Sequence, residues 1–77
     1  MIGRISNPLK IRVLEALRKR KRMSLELLSK HVRIPEFTLR DLLEELKKDG
    51  FVDESEGYIV LTDYGIKALK EIYDFRI

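Results

Sequence analysis

The sequence predicts a mostly helical α+β domain of three helices, a short β-hairpin and a closing helix, all within 77 residues. Three observations carry this expectation. Apolar residues recur at helical spacing in three separate stretches before residue 50. Beyond Gly50 the period changes to an alternating one around Glu56-Gly57, the mark of a hairpin. Helical spacing then returns after Thr62.

Asn7-Pro8 opens helix 1, about 7–20, with a cap residue followed by the one helical position where proline's missing N–H costs nothing. Leu9, Val13, Leu14 and Leu17 form its predicted buried stripe, and Ile11 falls nearly opposite Leu9, a candidate for contacts outside the core. The helix ends in the cations Arg18 to Arg22, which complement the free carbonyls of a last turn. Ser24 caps helix 2, about 24–32, with Leu25, Leu28 and Val32 as its apolar positions. Arg33-Ile34-Pro35 is long enough only for a turn, and Pro35 excludes Ile34 from the α region and starts helix 3, about 35–49. Two short helices joined this tightly make a helix-turn-helix. Helix 3 buries Leu39, Leu42, Leu43 and Leu46 along one stripe, and Gly50 stops it as a residue able to take positive φ. The hairpin covers about 51–61. Thr62 caps the last helix, about 62–75, with Ile66, Leu69, Ile72 and Tyr73 along one side.

The order and several motifs resemble the winged helix-turn-helix of ArsR-like and MarR-like regulators. Asn7-Pro8 through Leu17 is similar to the opening helix of ArsR-like proteins, and Ser24-Leu-Glu-Leu-Leu28 to the start of their second helix. Leu39, Leu43, Leu46 and Gly50-Phe51-Val52 match the pattern that ends the recognition helix and begins the wing. Leu61-Thr62-Asp63-Tyr64-Gly65 resembles the step that opens the final helix. The resemblance covers almost the whole chain, 1–77, as one domain. It implies a homodimeric transcription regulator whose third helix enters the major groove of double-stranded DNA while the wing follows the backbone. The chain departs from the pattern in two respects: it has no cysteine, so metal sensing does not carry over, and its wing is acidic at Asp53, Glu54 and Glu56.

Charge sharpens the question of function. Residues 1–22 hold eight basic groups against Glu15, a net of +7, whereas the remainder holds eight basic and twelve acidic, a net of −4. Such a separation steers a polyanion toward one end of the molecule. In the family geometry the first turns of helix 3 reach base edges, so Glu36, Phe37, Thr38, Arg40 and Asp41 are the candidates. Arg40 pairs bidentately with guanine, Phe37 packs on a thymine methyl, and Asp41 accepts from cytosine N4. The structural alternative is that Arg40, four residues from both Glu36 and Glu44, only ties a solvated helix together. Attraction to phosphate is assigned to Arg20, Lys21 and Arg22, with Ser24 at the start of helix 2 and Lys48. Three such contacts per subunit give a dimer a salt slope of about −5. The division of labour requires the basic run and the outer edge of helix 3 to face one duplex.

A chain of this size rarely gains more than roughly 3–5 kcal/mol from its own core, so association is the expected reinforcement. Ile5, Ile11, Ile66, Leu69, Ile72, Tyr73 and Phe75 are the predicted dimer contacts. A two-fold pair sets two recognition helices about one DNA turn apart on a palindromic site, a geometry suited to a repressor. The rival expectation is a protein–protein module that docks a basic partner through acidic helix 3 and the acidic wing, anchored by Phe37. Enzymatic chemistry and cofactors are not expected. His31 is the sole histidine, no thiolate exists, and the four glycines are isolated rather than gathered in a phosphate-binding loop. No apolar run approaches the ~20 residues that span a bilayer and MIGRISNPLK lacks a signal-peptide pattern, so a cytoplasmic location is expected. Abundant Lys, Arg and Glu, with Gln absent and Asn7 the sole asparagine, follow a thermophile tendency.

Overall fold

The structure, a computed structural model, describes residues 7–76, with side chains through Ile72. It contains α1 (Pro8–Arg20), β1 (Arg22–Met23), α2 (Leu25–Val32), α3 (Glu36–Lys48), β2 (Val52–Ser55), β3 (Tyr58–Leu61) and α4 (Asp63–Arg76). The strands form one antiparallel sheet in the order β1-β3-β2.

The helix ends follow the chemistry of their cap residues. Asn7 Oδ1 accepts from Leu9 N at 2.9 Å, and Ser24 Oγ accepts from Leu27 N at 3.2 Å. Lys21 ends α1 at φ 68°, its N–H donating to Leu17 O at 2.8 Å. Arg33 ends α2 in the left-handed region at φ 59°, and Ser29 then fastens the turn twice. Its carbonyl accepts from Ile34 N at 3.2 Å, and its hydroxyl donates to Ile34 O at 2.6 Å. Pro35 stands as the N-cap of α3 rather than its first helical residue. At the other end Gly50, at φ 85°, donates to Lys47 O and Phe51 N donates to Leu46 O, the paired bonds of a Schellman ending.

One core binds these elements. Val13, Leu14 and Leu17 of α1, Leu28 of α2, Leu39 and Leu46 of α3, and Leu69 of α4 are almost completely removed from water. Three expectations are corrected here. Leu9 is 36% exposed, because it lies in the first turn of α1, ahead of the span Val13–Leu17 that packs in the core. Leu43 is only half-buried, at the margin of the core. Leu69, expected at a dimer interface, is 1% exposed within the single chain, where it and Ala68 fill the space between α4 and the rest of the core.

The sheet has one strand more than expected. β1 pairs with β3 through Arg22↔Val60 and Met23↔Ile59, so the chain between α1 and α2 is a strand and not a loop. Burial of the Met23 side chain drives this, and alternation along the strand turns Arg22 outward. The β2–β3 connection has two residues, Glu56 at φ 51° and Gly57 at φ 82°, the two positive values of a type I′ turn.

A corner between the hairpin and α4 explains the Leu61-Thr62-Asp63-Tyr64-Gly65 motif. Thr62 Oγ1 accepts from Gly65 N at 3.0 Å and donates to Gly50 O at 2.6 Å, while Thr62 N donates to Phe51 O at 3.0 Å. Gly65 lies so close to the strand that a Cβ there would stand 2.2 Å from Phe51 O. Glycine is required by that approach, not by its φ. The Phe51 and Tyr64 rings stack at 5.2 Å, 3° from parallel, and close the corner.

Candidate nucleic-acid interface

Leu39, Leu42 and Leu46 lock one side of α3 into the core, which leaves Glu36, Phe37, Thr38, Arg40 and Asp41 exposed on its first two turns. Phe37 is 80% exposed, an unusual setting for an aromatic ring. Phe37, Arg40, Asp41, Glu44 and Lys48 form one wall of an open groove of about 1050 Å³. Leu43, Glu45 and Lys47 of α3, Leu25 of α2, and Val52, Glu54 and Ile59 of the hairpin complete the lining. The structure thus gathers four of the predicted contacts, Phe37, Arg40, Asp41 and Lys48, along one groove. Thr38 is exposed on the same turn of α3.

The charge on this surface is partly neutralised from within. Lys10 Nζ of α1 lies 2.7 Å from Glu45 Oε1, and Lys47 Nζ lies 2.9 Å from Glu54 Oε1. The hydrogen bond to Glu54, helped by that carboxylate's charge, raises the Lys47 pKa above its ordinary 10.5. The same pair straps the hairpin to α3. Arg40 approaches Glu36 at 3.9 Å, a loose contact between two exposed side chains that leaves the guanidinium accessible. Asp41 and Glu44 form no ion pair among the described residues, and Glu44 acts on Lys47 only through its charge.

The basic run divides. Arg20 is the last residue of α1, Lys21 its cap and Arg22 the first residue of β1; all three are exposed and form no ion pair among the described residues. β1 runs toward the hairpin turn, so Arg20 and Lys21 lie on the far side of it from that turn. Arg22 points from the sheet face opposite to the one where Val52 and Ile59 line the groove, and its guanidinium lies 4.9 Å from the centre of the Tyr58 ring. The structure therefore does not bring Arg22 beside the outer edge of α3, as the charge argument required. Ser24 Oγ is engaged as the α2 cap acceptor, and its O–H remains as a donor.

Of the predicted dimer residues, Ile66 is exposed on α4, and Ile11 and Ile72 are half-buried. Tyr64 and Leu9 add exposed apolar surface that the sequence did not single out for this role. Ile5 and the side chains of Tyr73 and Phe75 lie outside the described residues. His31 is exposed beside Arg12, Glu15 and Lys19, and Arg12 Nη1 donates to Val32 O at 3.1 Å. Among the described residues no cluster of His, Cys, Asp and Glu is arranged to hold a metal, and no helix is long and apolar enough to cross a membrane.

Sequence reasoning missed Leu25 as a groove residue and Tyr58 as the platform under Arg22. The signal for Tyr58 was its place just after Gly57, two residues before the Val60 that pairs with Arg22; it becomes legible only once β1 is known. Fold and surface together define a small, mostly helical α+β domain with, among the described residues, four helices, a three-stranded antiparallel sheet and an exposed helix edge beside a groove. No family model matches the chain, and no curated protein matches it in sequence.

Proposed function

We propose that the chain is a winged helix-turn-helix that binds double-stranded DNA as a homodimeric transcription regulator, repressing by occlusion. One observation carries this reading: α3 is held rigidly from behind by buried leucines while its first two turns present Phe37, Thr38, Arg40 and Asp41 beside a hairpin. A rigid rod with a polar and aromatic edge is what major-groove readout needs. Internal pairing of Glu45 and Glu54 lowers the repulsion that a bare count of acidic residues suggests. Lys48 supplies attraction on the groove itself; Arg20, Lys21 and Arg22 lie off the α3 edge and add to it only where the duplex backbone passes around the hairpin. Exposed Leu9, Tyr64 and Ile66 provide apolar surface for a second subunit.

Binding titrations against duplex DNA at a series of salt concentrations test the proposal. The logarithm of the affinity should fall linearly with the logarithm of salt concentration, and the triple variant Arg20→Ala, Lys21→Ala, Arg22→Ala should flatten that line. A salt-independent affinity, or no binding near physiological salt, would refute it.

The second reading, a module docking a basic protein, draws support from Asp41 and Glu44, which form no ion pair among the described residues, beside exposed Phe37. Glu44→Lys, which leaves the candidate base contact Asp41 in place, separates the two. DNA affinity rises if the duplex occupies the groove, and it does not respond if a basic partner does.

A further inference from the structure

The hairpin, read alone, has no cation with which to meet a phosphate: its exposed charges are Asp53, Glu54 and Glu56. The sheet supplies one from a neighbouring strand. Arg22 of β1 stands opposite Val60, and Tyr58, two residues earlier on β3, lies on the same outward face as its diagonal neighbour. The guanidinium rests over the Tyr58 ring at 4.9 Å, an arrangement that limits its motion without consuming its charge or its N–H donors. Ser55, opposite Tyr58, presents a hydroxyl on that face. Asp53 shares the face but lies two strands across from Arg22, about 10 Å at the usual strand spacing. Its Oδ1 already accepts from Glu54 N at 2.8 Å. Glu56 at the turn opposes anion binding there.

We infer that the outer face of the sheet carries the hairpin's contact with nucleic acid: Arg22, held by Tyr58 as a positioning residue, binds a phosphodiester of the duplex beside the groove that α3 enters. The inference rests on the DNA-binding reading and gives it a second contact surface on the opposite side of the hairpin from α3. The domain then straddles the backbone, with the helix edge on one side of the hairpin and the Arg22–Tyr58 pair on the other. Arg20 and Lys21, which have no such platform, contribute only diffuse attraction.

The test uses the full chain and a mixed-sequence DNA duplex titrated from low to high salt. Arg22→Ala should reduce the salt slope by about 0.9 per subunit and weaken binding about fivefold per subunit at 0.15 M salt, converging with the unmodified protein near 1 M. Arg22→Lys should keep the slope. Tyr58→Ala keeps the charge but removes its platform, so the slope should persist while affinity drops about two- to fivefold; Tyr58→Phe should bind as the unmodified protein does. Thermal unfolding followed by circular dichroism verifies that each variant is folded. If the unmodified protein binds but Arg22→Ala keeps its slope and affinity, the inference alone is overturned. If Arg22→Ala weakens binding and Tyr58→Ala does not, Tyr58 has no positioning role and the paired site is wrong. If the unmodified protein binds no duplex, the DNA-binding reading falls and this contact with it.

Discussion

Gly65→Ala tests the corner where the hairpin meets α4, because two physical effects of opposite sign act on one atom. Alanine in a helix is favoured over glycine by about 1 kcal/mol, so propensity alone predicts a stabilised protein. The added Cβ, however, would stand 2.2 Å from Phe51 O and 3.1 Å from Phe51 C, both backbone atoms that cannot rotate aside. Overpacking of this kind costs about 1–3 kcal/mol. Relief by moving the Phe51 carbonyl would sacrifice its bond from Thr62 N, a further loss of about 0.5–1.5 kcal/mol. The net is a destabilisation of about 1–3 kcal/mol. For a domain of this size that lowers the unfolding midpoint by about 5–20 °C. Thermal unfolding monitored by circular dichroism reads it directly. A midpoint equal to or above that of the unmodified protein would refute the close-approach argument.

Three further outcomes are expected. Thr62→Val keeps the side-chain shape but removes the cap of Gly65 N and the bond to Gly50 O, and should cost about 1–2 kcal/mol in denaturant unfolding. Glu56→Asn should stabilise the hairpin by about 0.5–1 kcal/mol, because Glu56 occupies φ 51° and Asn-Gly is the favoured type I′ pair; an unchanged midpoint would contradict the turn assignment. Lys47 has a folded pKa raised above 10.5, chiefly by its hydrogen bond to Glu54 and then by that group's charge. Its contribution to stability is therefore complete below pH 10.5 and is lost as pH climbs through the raised folded value. Unfolding midpoints measured across that range should fall more steeply for the unmodified protein than for Lys47→Met, and parallel curves would show the strap to be inert.

Legibility in the sequence followed the range of the interaction. Asn7, Ser24 and Thr62 act on backbone groups two or three residues away, and each caps the helix assigned to it. Gly50 likewise ends α3 through bonds confined to residues 46–51. β1 was hidden because a two-residue strand at the end of a run of cations has no period to detect; only Met23, the apolar residue that follows the run, hinted at burial. Leu69 was placed outside the core because a helical stripe does not say whether its own domain or a second subunit covers it. The sequence marks Gly65 only as part of the step that opens the final helix, since its close approach to Phe51 O joins segments fourteen positions apart. The candidate site followed the same rule. The exposed edge of α3 follows from the leucine stripe on its other side, whereas the partners that neutralise Glu45 and Glu54, and the platform beneath Arg22, depend on tertiary placement.

Selection of bound duplexes from a random-sequence pool, followed by sequencing, tests most directly the claim that the α3 edge reads DNA. The account predicts convergence on one two-fold-symmetric site with half-sites about one helical turn apart, and a broadened preference at a single base position for Arg40→Ala. A recovered pool no different from the starting one would contradict it.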